Sequence, residues 1–185
     1  AQAALDAGWE FMAHCYEQAA IHKIPDQRAM IAQTIDVLTR FTGRVPSGWL
    51  GPGRGQTYET LEHLAQTGFK WFGDWVLDDQ PVTVRTKHGP IVSIPYSTEL
   101  NDIGIMLTSH QDSDAMYTRV RDAFDQMHEE TARGSVRILA FGVHPYISGV
   151  AHRIKYFEAM IRYMKEREGT VFWTGEQIHA WYRSA

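Results

Sequence analysis

Apolar residues in this chain alternate between short continuous runs and longer stretches in which they recur every three or four positions, the rhythm of strands followed by helices. Gly8 to Ala13 is a short apolar-rich run ending at His14. After Pro25 and Asp26, Ile31, Ile35 and Leu38 repeat at helical spacing. The next unit runs from Val45 through Trp49 into the loop Gly51-Pro52-Gly53-Arg54-Gly55, then into a helix carrying Tyr58, Leu61 and Leu64 and stopped by Gly68. Phe69 to Asp74 reads as a third strand, the acidic turn Asp78-Asp79-Gln80-Pro81 follows, and Ile91 to Tyr96 supplies a fourth before Glu99 to Asp102. Met116, Val120, Phe124 and Met127 mark a long helix. Val136 to Val143 is the most strand-like segment and ends at His144-Pro145. Ile154, Phe157, Ile161 and Met164 mark another helix, and a last strand, Thr170 to Trp173, passes into a helix capped by Thr174 with Gln177 three residues on.

Strands alternating with helices predict parallel strands joined by crossover helices, as an open sheet or a closed barrel. His14, Trp49, Asp74, Tyr96 and His144 each fall at the C-terminal end of a predicted strand. A barrel gathers those ends at one mouth, whereas an open sheet joins only strands near a topological switch, so the barrel is favoured. About six strands are countable where such a barrel needs about eight. The expectation is one domain over residues 1–185, an α/β barrel lacking its first strands, because Ala1 to Ala7 read as the tail of a helix.

Composition narrows the function classes. With 18 Lys+Arg against 22 Asp+Glu and a formal charge of −4, no basic surplus favours nucleic acid. No apolar run reaches the roughly 18 residues that span a bilayer, and no basic-then-apolar leader opens the chain. The single cysteine, Cys15, forms no internal disulfide. The expectation is a cytoplasmic homo-oligomer acting on a small molecule or glycan, with neither nucleic acid nor membrane as partner.

The chemistry centres on two histidines. His14 leaves its strand into a polar turn and can be a general base, a metal ligand or a structurally bonded ring. His144 ends a buried strand on an imidazole, where packing alone favours an apolar residue. The other histidines lie in helices, loops or helix starts, where solvated or surface roles are expected. Gly48 to Arg54 combines backbone freedom with a cation suited to a carbonyl or anionic oxygen, and it lacks the phosphate-loop pattern. Asp74 suits orienting a base or arginine. Trp49 and Tyr96 suit stacking on a sugar or planar ring, or core packing. Glu99, Asn101 and Asp102 follow Tyr96 and serve equally as site residues or loop caps.

Taken in order, Gly8-Trp9-Glu10 with His14, Pro46-Ser47-Gly48-Trp49-Leu50-Gly51-Pro52, Asp74-Trp75 with Asp78-Asp79-Gln80-Pro81, Ile94-Pro95-Tyr96 with Glu99 to Asp102, His144-Pro145 and Phe172 to Ile178 resemble the polysaccharide deacetylase, or NodB-homology, family and its allantoinase-like branch. The resemblance implies a distorted (β/α) TIM-like barrel that hydrolyses a non-peptide C–N bond, in an N-acetyl sugar or a cyclic amide such as allantoin. It implies His144 as the acid to the leaving nitrogen, and His14 as a residue holding water, substrate or a metal. It also implies a pocket formed by Trp49, Arg54, Asp74, Tyr96 and Glu99, and an acidic base upstream of Ala1. Metal-dependent members carry a second His four residues after the first. Here that residue is Gln18, so the cofactor expectation is none, with zinc or another divalent metal on His14 as the alternative. Leu50 stands where the family usually has Arg, with Arg54 as a candidate substitute beside Asp74. A catalytically silent carbohydrate- or ureide-binding barrel is the rival expectation.

Overall fold

The computed structural model describes residues 1–184 as two compact units, one formed by Ala1–Ile94 together with the segment from Trp173, the other by Pro95–Phe172. In the first, α1 (Gln2–Asp6) precedes α2 (Gln27–Thr42), whose N-terminus is capped by the Asp26 side chain accepting from the Ala29 N–H at 3.0 Å, and which ends at the left-handed Gly43. Then come β1 (Gly48–Trp49), α3 (Thr60–Thr67), β2 (Trp71–Phe72), β3 (Val82–Thr86) and β4 (Gly89–Ser93), and α7 (Gly175–Ser184) returns to this unit from the C-terminal side. The sheet order is β1-β2-β4-β3, parallel except for the β3–β4 hairpin.

Ile21, Ile31, Trp49, Leu64, Phe72 and Ile91 are almost fully enclosed and form the core under α2 and α3. Each large apolar side chain so buried contributes about 1.5–3 kcal/mol. Gly48 and Gly175 are required by the Trp71 indole, which a Cβ at either position would overlap. The expected cap of α7 is present: Gln177 N–H donates to Thr174 Oγ1 at 3.2 Å, and Thr174 N–H donates to Gln177 Oε1 at 2.8 Å.

In the second unit a π-helical stretch, Ile103–Thr108, precedes α4 (Ala115–Thr131), α5 (Pro145–Ser148) and α6 (Ile154–Lys165). Met116, Val120 and Phe124 share a buried cluster with Ile147, Met160 and Met164, so the apolar stripes of α4 and α6 face one another.

The observed sheet is mixed and four-stranded, and besides Gly8 to Ala13, which contributes only a bridge at Ala13, it departs from the expected series in three places. Val82 to Thr86 pairs antiparallel with β4 across a turn at Gly89 (φ 110°), so alternation and a turn glycine made a hairpin strand that was not among the expected strands. Val136 to Val143 forms no ladder. Only Gly142 bridges Asn101, while Leu139 and Phe141 pack on the helical cluster and Val136 is exposed. Thr170 to Trp173 is likewise unpaired, with Val171 and Phe172 exposed. Among the described residues no helix is long and apolar enough to cross a membrane.

Candidate functional site

His144 is placed by the residues on both sides of it. Pro145 occupies the first position of α5 and keeps His144 extended (φ −118°, ψ 128°), while the His144 carbonyl accepts from the N–H groups of Ile147 and Ser148 at 2.9 Å each. Upstream, Gly142 N–H donates to Leu100 O at 2.9 Å and Asp102 N–H donates to Gly142 O at 3.0 Å, which sets Asp102 beside the histidine. A Cβ at Gly142 would collide with Tyr96 and Asn101, so glycine is needed for this approach.

Asp102 is fully buried. Its Oδ1 lies 2.6 Å from His144 Nδ1. Its Oδ2 accepts from the His144 backbone N–H and from Ser148 Oγ–H, both at 2.7 Å. An ionised carboxylate only accepts, so Nδ1 carries a proton and Nε2 is the nitrogen left for chemistry. The imidazole edge is 33% exposed and lies 5.6 Å, centroid to centroid, from Tyr146. Tyr96 and Glu99 are in the same unit: Tyr96 Oη accepts from Asn101 Nδ2 at 2.8 Å, and the exposed Glu99 accepts from Ser97 Oγ at 3.3 Å.

In the first unit, Ala13 N–H donates to Gly48 O and Ala13 O accepts from Leu50 N–H, both at 2.9 Å, an isolated parallel bridge where a full strand was expected. This delivers His14 to the end of β1, where Nδ1 hydrogen-bonds the Leu50 carbonyl. A carbonyl only accepts, so Nδ1 is the donor and Nε2 presents a lone pair, 3.4 Å from Gln18 Nε2.

Asp74, just past β2, is 4% exposed. Its Oδ1 accepts from Gly51 N–H at 2.6 Å and its Oδ2 from Gln56 Nε2 at 2.5 Å. Burial raises its pKa above the usual carboxylate range, against the opposing pull of those two bonds and of His14. The Trp49 indole N–H adds a weaker favourable interaction without reaching hydrogen-bond geometry. Trp49 itself is fully buried, edge-on to Phe69 at 5.6 Å, and so is a core side chain with no exposed ring face for stacking. Arg54 sits at a positive φ of 56° in the loop and, among the described residues, forms no ion pair with Asp74, whose two oxygens Gly51 and Gln56 occupy. Next to His14, burial and the nearby Asp74 push the Cys15 thiol up to about 11.

The structure thus brings His144 together with Asp102 and Ser148, and His14 together with Gln18, Leu50 and the Asp74 loop. Sequence reasoning left Asp102 undecided and missed Ser148 and Gln56. A lone acid directly before the apolar run Ile103 to Leu107 was the available signal for Asp102, and Ser148 had none. His63, expected at the surface, is buried, with Nδ1 accepting from Arg28 Nε at 3.2 Å.

The donor set does not fit a zinc ion. Among the described residues no group of three or more His, Cys, Asp or Glu side chains is placed to hold a metal, and beside the His14 lone pair stands an amide rather than a second imidazole.

No protein-family model matches the chain. A Schizosaccharomyces pombe protein described as a "putative polysaccharide deacetylase" is 31% identical over 93 residues, which is 49% of this chain and 29% of that relative. The solved structure of a "probable polysaccharide deacetylase" from Pseudomonas aeruginosa superposes with a TM-score of 0.88 at 27% identity, covering 98% of this chain and 62% of its own. A structure of PuuE allantoinase gives a TM-score of 0.90 at 24% identity, covering 98% and 61%, a likeness of fold. The chain therefore spans about three fifths of the solved structures it matches. Fold likeness over nearly its whole length, joined to sequence identity with two deacetylase relatives, agrees with the motif order, and the chain is similar to polysaccharide deacetylases.

Proposed function

We propose that the protein is a hydrolase of an amide C–N bond other than a peptide bond, acting on a small molecule or glycan, with His144 as the acid. The observation that carries this reading is the 2.6 Å pairing of His144 Nδ1 with the buried Asp102 carboxylate. With both ring nitrogens protonated the imidazole is a cation whose charge Asp102 offsets. Water oxygen adds to the carbonyl carbon and gives up one proton to a base; the C–N bond breaks, the departing nitrogen takes the Nε2 proton while Nδ1–H stays hydrogen-bonded to Asp102, and the proton held by the base then restores Nε2–H. His14 Nε2, a lone pair, accepts a hydrogen bond from water or from a substrate N–H. Arg54 and Asp74 in the first unit and Tyr96 and Glu99 in the second are the proposed substrate-binding residues, with Trp49 in the core of the first unit. The candidate substrates of this reading are an N-acetylated sugar and a cyclic ureide such as allantoin, and the deacetylase relatives favour the first. The same reading takes the parallel β1-β2-β4 sheet as part of the distorted barrel that the motifs imply.

The test is His144→Ala assayed on a panel of N-acetylated sugars and cyclic ureides. Loss of turnover by about 10²–10⁴-fold is expected for a general acid, and unchanged turnover refutes the role. A second reading, a barrel that binds such ligands without hydrolysing them, is favoured by Gln18 standing beside His14 where metal-dependent relatives place an imidazole. Saturable binding across the panel with no product would select it.

A further inference from the structure

We propose that Ser148 is a positioning residue for His144, acting through Asp102. The inference rests on the reading of His144 as the acid. Ser148 lies four residues after His144, one turn on, and its backbone N–H already closes that turn on the His144 carbonyl at 2.9 Å. A serine there would ordinarily turn its hydroxyl back onto the carbonyl four residues earlier. Instead Oγ–H reaches across to Asp102 Oδ2 at 2.7 Å, at a site that is 6% exposed. Asp102 is 0% exposed, so water cannot complete its bonding, and the protein must fill its lone pairs itself.

It does so with three donors: His144 Nδ1–H at 2.6 Å on one oxygen, and the His144 backbone N–H and the Ser148 hydroxyl, both at 2.7 Å, on the other. Only the ring bond is the working one. The two bonds on Oδ2 fix the rotation of the carboxylate about its Cβ–Cγ axis, and so fix where Oδ1 holds the imidazole. The backbone donor cannot be moved without moving His144 itself. Among the described residues, Ser148 is therefore the one independent side-chain donor that sets the carboxylate plane. The ring closes from Asp102 through His144 and the α5 turn to Ser148 and back to Asp102.

The experiment compares wild type, Ser148→Ala, Ser148→Cys and Ser148→Thr by ¹⁵N-edited NMR of the His144 side chain, assigned by its loss in His144→Ala, alongside steady-state kinetics on the substrate panel. Removing the hydroxyl is expected to shift the Nδ1–H signal upfield and speed its exchange with water. It is also expected to lower kcat about tenfold while KM stays within about twofold, because an interaction is lost that matters more in the transition state than in the bound ground state. Thr, which keeps the hydroxyl, is expected to restore both readouts. If Ala does not fold, Cys keeps the volume and a weak donor, and a partial shift is expected. A folded Ala or Cys variant whose Nδ1–H signal is unmoved overturns the proposal, as does a rise in KM at unchanged kcat. A wild type without turnover but with the signal shifted in Ser148→Ala removes the hydrolase reading and leaves Ser148 in its role. Turnover abolished by His144→Ala with Ser148→Ala indistinguishable from wild type does the reverse.

Discussion

Replacing Asp102 should cost both stability and chemistry, by separable amounts. In Asp102→Ala the His144 backbone N–H and the Ser148 hydroxyl lose their common acceptor inside a region closed to water. Each unsatisfied buried donor costs about 1–3 kcal/mol, so about 4 kcal/mol is expected in total. With a urea dependence of about 2 kcal/mol per molar, the unfolding midpoint should fall by about 2 M. Asp102→Asn keeps the shape and one oxygen. That oxygen can serve the two donors now on Oδ2, which turns the new amide N–H toward His144 Nδ1 and forces that nitrogen to accept. The proton then sits on Nε2 alone, and the ring can no longer act as a cation paired to a carboxylate. The Asn variant should therefore stay within about 2 kcal/mol of wild type in urea, show an inverted tautomer in ¹⁵N NMR, and lose about 10²–10⁴-fold in turnover. An Asn variant with the wild-type tautomer, or an Ala variant whose midpoint moves by less than about 0.5 M, would refute the pairing on which the site is built.

Other outcomes follow from the first unit. Because burial raises the Asp74 pKa above 3.8, the folded state holds that proton to higher pH than the unfolded chain. The group imposes no cost below about 3.8 and its full cost above its raised value, so wild-type stability relative to Asp74→Asn should fall as pH rises from about 4 and then level off; urea midpoints between pH 3.5 and 8 measure this, and a wild type that gains stability relative to Asp74→Asn as pH rises contradicts it. With its thiol pushed up to about 11, Cys15 should react with iodoacetamide at pH 8 about 100-fold more slowly than a free thiol, with the rate rising about tenfold per pH unit toward 11. Gly48→Ala, whose methyl would overlap the Trp71 indole, should cost about 1–3 kcal/mol in thermal or urea unfolding.

Helices were the legible part of the fold, and the reason is length. In α2, α4 and α6 the apolar stripe persists over several turns and is turned toward a core: Ile31, Met116, Val120, Phe124 and Met164 are buried, and Ile35, Leu38, Phe157 and Ile161 partly so. The strands are only two to five residues long, too short for periodicity to speak. Val136 to Val143 shows what goes wrong: β-branched and apolar residues in a row describe a need for burial, which Leu139 and Phe141 meet by packing on helices, and one bridge at Gly142 is all the pairing that results. The hairpin at Val82 to Ser93 erred the other way. Its exposed positions at Thr83 and Arg85 masked an alternation that Gly89 turns into antiparallel pairing.

The site was legible where chemistry conflicts with packing and hidden where the two agree. An imidazole closing an apolar segment is expensive unless something receives it, so His144 stood out, whereas an acid in a loop passes for a cap until its neighbours are known. Asp102 is a capping acid in that ordinary sense, since it accepts the backbone N–H at the start of α5. What distinguishes it is that the same carboxylate, without leaving that bond, also reaches the ring, and this depends on Gly142 bringing Asn101 and Asp102 to the turn from 42 residues away in sequence. Trp49 is the opposite lesson. Its position at a strand end before a glycine-rich loop allowed either a ring exposed for stacking or a core side chain, and the indole is enclosed beside Phe69. The polar partner of that loop is Asp74, which takes the Gly51 amide and the Gln56 side chain and so holds the loop. Asp102 thus acts on its histidine directly and through the first turn of α5, whereas Asp74 acts by fixing the backbone at Gly51, the neighbour of the Leu50 carbonyl that orients His14.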